Sequence, residues 1–321
     1  MGFVLLLALG ALFATLLVVG WTIRAITRPP RRTYASALAR GRPGEPSQLM
    51  PRSDGTPRTF ESWTIPFRGE QLPVWDMRGD NPTGPAVILS HGWGDSRIGA
   101  LTRAHFLLPL ASRIVMWDMP GHGDAPGVTR MGIDEHLALR SIIERVTASG
   151  SSSVALMGWS LGAGVSIRAM SEWSDKPASH VQCVIAEAPY RLPQTPARNM
   201  LRAFAVPHGF TADLALGMIG LDLGAGWRWD RNEPFDRAHH AAKLSVPLLV
   251  LHGALDDISP VTDGQAIAAA ACTHTLCVLE TGEHHGLWTN ETTAPRCYDA
   301  VRAALLATPV RARTLPHDAT A

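Results

Sequence analysis

The chain has 321 residues, of which 46% are hydrophobic and 18% carry a formal charge. This composition supplies enough apolar material for a large folded core, which excludes a disordered or highly charged polymer. The net charge of +1 does not favour nucleic-acid binding as the main function. The four cysteines are too few and too irregularly spaced for a disulfide scaffold, and neither CxxC nor HExxH occurs. We therefore expect neither a metal nor any other cofactor.

The amino-terminal segment is apolar enough to cross a membrane. Residues 3–23 form a run of 21 residues without a charge, rich in Leu, Val, Ala and Phe. As a helix, such a run measures about 31 Å, which matches a hydrocarbon core of roughly 30 Å. A cleaved signal peptide fits less well, because no basic residue precedes the run and the apolar part of a signal peptide has only about 7–15 residues. We predict a retained single-pass transmembrane anchor over residues 1–23.

Basic residues follow this predicted helix. Arg24, Arg28, Arg31 and Arg32 lie within ten residues of its end. The positive-inside rule then places the rest of the chain on the cytoplasmic side of the membrane. Residues 24–57 contain six prolines together with Gly, Ser and Arg, a composition typical of a linker without a core of its own. We therefore predict that a juxtamembrane linker joins the anchor to a cytoplasmic domain.

Strand-like and helix-like runs alternate through residues 58–308, the predicted domain. Several of the strand-like runs are continuously apolar, as in strands that helices cover on both faces. Candidate strands are residues 59–66, 72–77, 86–90, 114–118, 154–158, 181–187, 248–252 and 275–280. Candidate helices are residues 98–110, 133–148, 161–173, 262–271 and 289–306. The alternation predicts an α/β fold with a mostly parallel sheet, in which the first two strands pair antiparallel because no helix separates them.

One stretch interrupts this alternation. Residues 190–244 have mixed periodicity and many Gly and Pro residues, although a crossover between parallel strands needs only about a dozen residues. We predict a lid inserted into the domain here. The predicted lid contains Trp227 and Trp229, and other tryptophans lie elsewhere in the domain. These side chains are consistent with an apolar pocket and equally with ordinary core packing. Residues 309–321 are predicted to be a flexible tail.

A candidate nucleophile follows the strand predicted at residues 154–158. The sequence GWSLG at residues 158–162 has the form GxSxG and runs directly into a helix-like segment. A sharp turn between a strand and a helix lifts the central side chain, here Ser160, clear of the sheet, and the small residues beside it let the turn close. The motif indicates a nucleophilic serine because of this context.

Four further motifs surround the serine in a characteristic order. HGWG at residues 91–94 follows one predicted strand, and DMPGHG at residues 118–123 follows the next. HGALDDISP at residues 252–260 contains HGxxD with a proline four positions on, and GEHHG occupies residues 282–286. Together with GWSLG, these motifs resemble the α/β-hydrolase superfamily over residues 59–307. The branch that looks most similar contains lysophospholipase-like and serine-aminopeptidase-like hydrolases.

The resemblance implies a role for each motif. Ser160 is expected to be the nucleophile, Asp256 the acid and His285 the general base, in the chain order typical of this fold. The histidine takes the proton of the serine hydroxyl, and the carboxylate fixes the tautomer of the imidazole. The backbone N–H groups of Trp93 and Leu161 are expected to form the oxyanion hole.

Several neighbouring residues are alternatives or have structural roles. Asp257 is the alternative to Asp256, and His284 is the alternative to His285 as the base. Glu187, at the end of another predicted strand, is a further candidate for the acid. We expect His91 to brace the loop at residues 91–94 and Asp118 to cap the turn that follows it, rather than to take part in the chemistry.

These expectations combine into a function. The resemblance implies a serine hydrolase that cleaves carboxylic esters through an acyl-enzyme intermediate, and the predicted anchor would tether it to a membrane. The choice of substrate stays open between a small ester or thioester and an acyl lipid or lysophospholipid, with which the anchor and the aromatic lid are consistent. An aminopeptidase or acyltransferase with the same triad, or a non-catalytic scaffold that kept the fold, stays open at this point.

Overall fold

The computed structural model describes residues 1–203, 209–232 and 235–307, which are built around one eight-stranded sheet. The strands are β1 Phe60–Phe67, β2 Glu70–Arg78, β3 Ala86–Ser90, β4 Arg113–Trp117, β5 Val154–Trp159, β6 Val181–Glu187, β7 Leu248–Gly253 and β8 His274–Leu279. Their order in the sheet is β1-β2-β4-β3-β5-β6-β7-β8. β2 pairs antiparallel with β1 and β4, and the remaining pairs are parallel. The predicted parallel sheet with an antiparallel first pair is confirmed.

Helices cover both faces of the sheet. They are α1 Gly2–Thr27, α2 Tyr34–Leu38, α3 Arg97–Leu107, α4 Glu135–Ala148, α5 Leu161–Met170, α6 Gln194–Ala203, α7 Phe210–Asp222, α8 Arg237–Ala241, α9 Val261–Ala270 and α10 Ala294–Leu306. One face of the sheet packs against α4, α5 and α9 through a core that includes Leu139, Val165 and Ile267. The other packs against α3 and α10 through a second core that includes Leu101 and Val301. β3, β5 and β7 are fully buried between these layers, which explains their continuously apolar sequences.

The first helix extends away from the domain for most of its length. α1 has 26 residues and is long and apolar enough to cross a membrane, a test that a signal sequence near the amino terminus also passes. Most of its apolar side chains are exposed, whereas Val19, Thr22 and Ile26 are buried on one side near its end.

The segment after α1 is packed against the domain, and the prediction of a linker over residues 24–57 did not include these contacts. The indole N–H of Trp93 donates to the carbonyl oxygen of Ile26 at 2.8 Å. The backbone N–H of Thr129 donates to the carbonyl oxygen of Thr27 at 3.1 Å. Further along, Leu49 is buried in the core beneath α3 and α10. Composition did not reveal these contacts, because any residue can offer a carbonyl oxygen. We call residues 26–32 the strap.

In the described part of the stretch between β6 and β7, where the lid is predicted, there are three helices and a short turn. They are α6, α7, a 3-10 turn at Trp229–Arg231, and α8. A buried apolar cluster that includes Leu216, Ile219, Trp229 and Phe235 joins these elements to Ile26 of α1. Residues 204–208 and 233–234 of the predicted lid lie outside the described residues, as does the tail predicted at 309–321.

Candidate active site

The residues predicted to carry chemistry follow three parallel strands. Ser160 comes directly after β5, Asp256 lies in the loop after β7, and His284 and His285 lie in the loop after β8. Parallel strands end at the same side of a sheet, so these loops meet there, as is usual for ligand sites of α/β sheets. We call this side the carboxyl end of the sheet.

The turn that carries Ser160 is strained and tightly packed. Ser160 has φ of 52° and ψ of −112°, in a region that L-residues rarely adopt. A Cβ atom at Gly158 would lie 2.2 Å from the carbonyl oxygen of Gly162, and one at Gly162 would lie 2.0 Å from the carbonyl oxygen of Ser90. The turn therefore requires both glycines of the GxSxG sequence. The N–H of Ser160 donates to the carbonyl oxygen of Glu187 at 2.9 Å, which ties the turn to β6.

Asp256 is buried and fully engaged by hydrogen bonds. Its Oδ1 accepts the backbone N–H groups of Ile258 at 3.0 Å and Ser259 at 2.7 Å. Its Oδ2 lies 2.8 Å from Nδ1 of His284 and 3.3 Å from Nε2 of His252. Burial acts to raise the pKa of this carboxyl, but the hydrogen bonds from the two histidines outweigh burial and lower its pKa to about 2. Asp256 is therefore ionised at neutral pH.

The histidine that is hydrogen-bonded to Asp256 is His284, the alternative to the predicted His285. His284 is buried, and because Asp256 is ionised, Nδ1 of His284 is the donor of their 2.8 Å hydrogen bond. His285 is exposed, and its ring stands nearly perpendicular to that of His284 at a centroid distance of 4.8 Å. Of the two rings, that of His284 is the one hydrogen-bonded to Asp256. Motif spacing does not distinguish two adjacent histidines.

The alternative acids lie elsewhere or are otherwise engaged. Asp257 is exposed. Glu187 is buried, and its carboxylate accepts hydrogen bonds from Arg103 at 2.8 Å and from the indole of Trp288 at 2.8 Å. These bonds hold β6 to α3 and to the loop before α10, so Glu187 has a structural role.

The loop of residues 91–95 is braced from inside the domain. Nδ1–H of His91 donates to the carbonyl oxygen of Gly92 at 2.8 Å, and Nε2 accepts the N–H of Met119 at 2.9 Å. Burial lowers the pKa of His91 to about 4, so the ring stays neutral at neutral pH. Asp118 accepts the backbone N–H of Asp124 at 2.9 Å. The expected bracing by His91 and capping by Asp118 are confirmed.

This loop lies beside the candidate nucleophile. A Cβ atom at Gly92 would lie 3.4 Å from Cβ of Ser160. Leu161, the other predicted oxyanion donor, is the first residue of α5, where backbone N–H groups have no acceptor within the helix. The structure thus brings Gly92 and the start of α5 to the two sides of Ser160.

The strap braces the same loop from outside, through residues that the motifs did not reveal. Arg32 pairs with Asp95 at 3.2 Å, and Arg31 donates to the carbonyl oxygen of Gly123 at 2.8 Å. Asp95 also accepts the indole N–H of Trp159, the residue before Ser160, at 3.2 Å. Asp95 therefore links the strap to the turn that carries the serine.

Comparison with known proteins supports ester hydrolysis as the relevant chemistry. No family model matches the chain. The chain is 27% identical over an alignment of 232 residues to a pimeloyl-[acyl-carrier protein] methyl ester esterase of Neisseria meningitidis serogroup C. The match covers 62% of this chain and 86% of that protein.

Solved structures share the fold. An esterase of Pyrococcus furiosus matches with a TM-score of 0.62 and 18% identity, covering 87% of this chain and 97% of that one. An esterase of a Rhodococcus species matches with a TM-score of 0.54 and 18% identity, covering 77% of this chain and 98% of that one. The chain has the α/β-hydrolase fold, as the motifs predicted.

Proposed function

We propose that this protein is a serine esterase in which Ser160, His284 and Asp256 form the catalytic triad. The observation that carries the proposal is the 2.8 Å hydrogen bond between Nδ1 of His284 and Asp256. It lies at the carboxyl end of the sheet, where the strained turn presents Ser160. An ionised carboxylate on Nδ1 holds the imidazole in the tautomer whose Nε2 can accept a proton.

Each group has one task in the reaction. Oγ of Ser160 attacks the carbonyl carbon of the ester while its proton passes to Nε2 of His284. The negative charge that forms on the carbonyl oxygen is stabilised by the N–H groups of Leu161 and Trp93, and Asp256 stabilises the imidazolium. The alcohol leaves with the proton from His284. A water molecule then attacks the acyl-enzyme by the same route and releases the acid and free Ser160.

The substrates we propose are carboxylic esters with an apolar acyl part. The curated relatives are esterases of a methyl ester whose acyl group is attached to a carrier protein. The apolar cluster between the lid helices and α1 packs against Trp93, so the surroundings of the predicted oxyanion loop are apolar. Acyl lipids and lysophospholipids suit such surroundings.

We further propose that α1 tethers the enzyme to a membrane, with the domain on the cytoplasmic side. The length and apolar composition of α1 support the tether. The arginines that follow its apolar run support the orientation.

The test is labelling of the full-length protein in detergent with a fluorophosphonate, which reacts with activated serines. We expect wild type to be labelled and Ser160→Ala to lose all labelling, because the hydroxyl that attacks is gone. Ser166→Ala, on the buried side of α5, is the matched control and should be labelled as wild type. Undiminished labelling of Ser160→Ala would contradict the proposal, as would a wild-type protein that is folded by circular dichroism but unlabelled.

A further inference from the structure

The end of α1 is held by the domain and by its lid. The strap bonds to Trp93 and Thr129 through the last turn of α1. These contacts set the direction of α1 relative to the domain. If α1 crosses a membrane, they also set which face of the domain meets the lipid surface.

The lid helix α7 packs on the part of α1 that would lie at the membrane surface. Val19 and Ile26 are on the buried side of α1, and Ile23 and Ile26 pack with Leu216 and Ile219 of α7 in one apolar cluster. Val19 lies four residues before Ile23, the end of the uncharged run, or about 6 Å at 1.5 Å per residue. A helix that packs here lies at the depth of the lipid headgroups.

The opposite side of α7 is apolar and exposed. Phe210, Met218 and Leu221 are 73%, 43% and 59% exposed, and their spacing places them on one side of the helix. Asp213, the one charged residue in the sequence between Phe210 and Leu221, is paired with Arg231 at 2.8 Å. A contiguous apolar surface of this kind marks a site of interaction.

Aromatic and basic side chains surround this surface as they do at a membrane boundary. Trp21 of α1 is half exposed, and Trp227 is half exposed where its ring lies against Gly217 of α7. Tryptophan is enriched at the boundary between membrane and water. Arg24 and Arg28 are exposed near the end of α1, where they can pair with anionic headgroups.

We propose that α7 lies in the surface of a lipid bilayer with anionic headgroups, beside α1 and with its exposed side toward the lipid. This rests on the proposed membrane tether. The lid then faces the membrane, and Trp93 packs on the same cluster as α7. Esters that partition into the bilayer therefore reach the oxyanion loop from the membrane side.

The test measures lipid contact in the full-length protein reconstituted into vesicles of phosphatidylcholine and phosphatidylglycerol. In a Cys272→Ser, Cys277→Ser background, an environment-sensitive fluorophore is attached to Leu221→Cys and, as a matched control, to Leu137→Cys. Leu137 is an exposed leucine of helix α4. Spin labels near the headgroups of the lipids serve as quenchers. We expect the Leu221→Cys emission to shift to shorter wavelength and to be quenched, and the Leu137→Cys emission to do neither.

A third label at Leu9→Cys, in the exposed part of α1, separates the two proposals. Quenching at Leu9→Cys without quenching at Leu221→Cys overturns the placement of α7 and leaves the tether intact. Quenching at neither position overturns both. Shielding of Leu221→Cys that increases with protein concentration, without lipid quenching, assigns this surface to a second copy of the chain and also overturns the placement.

An activity measurement tests the placement independently. Met218→Glu, Leu221→Glu puts two charges on the exposed side of α7, where they disturb no buried packing. We expect this double variant to lose kcat/KM toward a long-chain ester in vesicles and to keep it toward a short water-soluble ester. Loss toward both esters, or toward neither, would contradict the placement.

Discussion

The residues at the carboxyl end of the sheet can be recognised in the sequence, whereas the contacts of the strap cannot. At the carboxyl end, the side chains proposed to act in catalysis lie in short motifs after strands, as Ser160 does in GWSLG and Asp256 in HGALDDISP. In the strap, Ile26 and Thr27 contribute only carbonyl oxygens, which every residue carries. Motifs therefore reveal side-chain chemistry, whereas contacts made by the backbone leave no pattern in the sequence.

The two regions meet in the loop of residues 91–95. Trp93 offers its backbone N–H to the proposed oxyanion hole and bonds with its indole N–H to the strap. Asp95 connects Arg32 of the strap with Trp159, the neighbour of the proposed nucleophile Ser160. Variants in the two regions should accordingly differ in the size of their effects.

The largest effect is expected at Asp256. Asp256→Asn should lower kcat by about 10⁴-fold. The amide can stabilise the tautomer of His284 that carries its proton on Nε2, and this nitrogen then cannot accept the proton of the serine hydroxyl. Asp257→Asn is the matched control, since its side chain is exposed, and it should retain wild-type kcat. Hydrolysis of a soluble p-nitrophenyl ester measures both. Equal losses of kcat in the two variants would show that the hydrogen bond to His284 does not identify the catalytic acid.

A smaller effect is expected from the strap. Trp93→Phe keeps the backbone N–H and most of the ring but removes the indole donor to Ile26. Loss of one neutral hydrogen bond is worth about 0.5–1.5 kcal/mol, so we expect kcat to fall roughly 2- to 10-fold while KM stays near its wild-type value. Trp173→Phe is the control, because its indole bonds to Asp175 after the end of α5.

The split between kcat and KM distinguishes positioning from general destabilisation. If Trp93→Phe changes only the thermal midpoint of unfolding, as a lost bond remote from the site would, the strap does not position the oxyanion loop.

The sequence predicted the strands, the antiparallel first pair, the turn at Ser160 and the place of Asp256 in the loop after β7. These features depend on apolar runs, on glycines that a tight turn requires, and on a motif after a buried strand. The choice between His284 and His285 could not be made in this way, because it depends on the direction in which two adjacent loop residues point. The contacts of the strap could not be predicted either, because a proline-rich and arginine-rich composition occurs both in linkers and in segments that pack on a domain.

The most direct test of the account compares His284→Ala with His285→Ala in the same protein and the same ester assay. The structure predicts that His284→Ala lowers kcat/KM by roughly 10²–10⁴-fold, the usual contribution of general acid–base catalysis. His285→Ala should stay close to wild type, because His285 is exposed and does not bond to Asp256 in the structure. A large loss in His285→Ala with little change in His284→Ala would contradict the proposed triad.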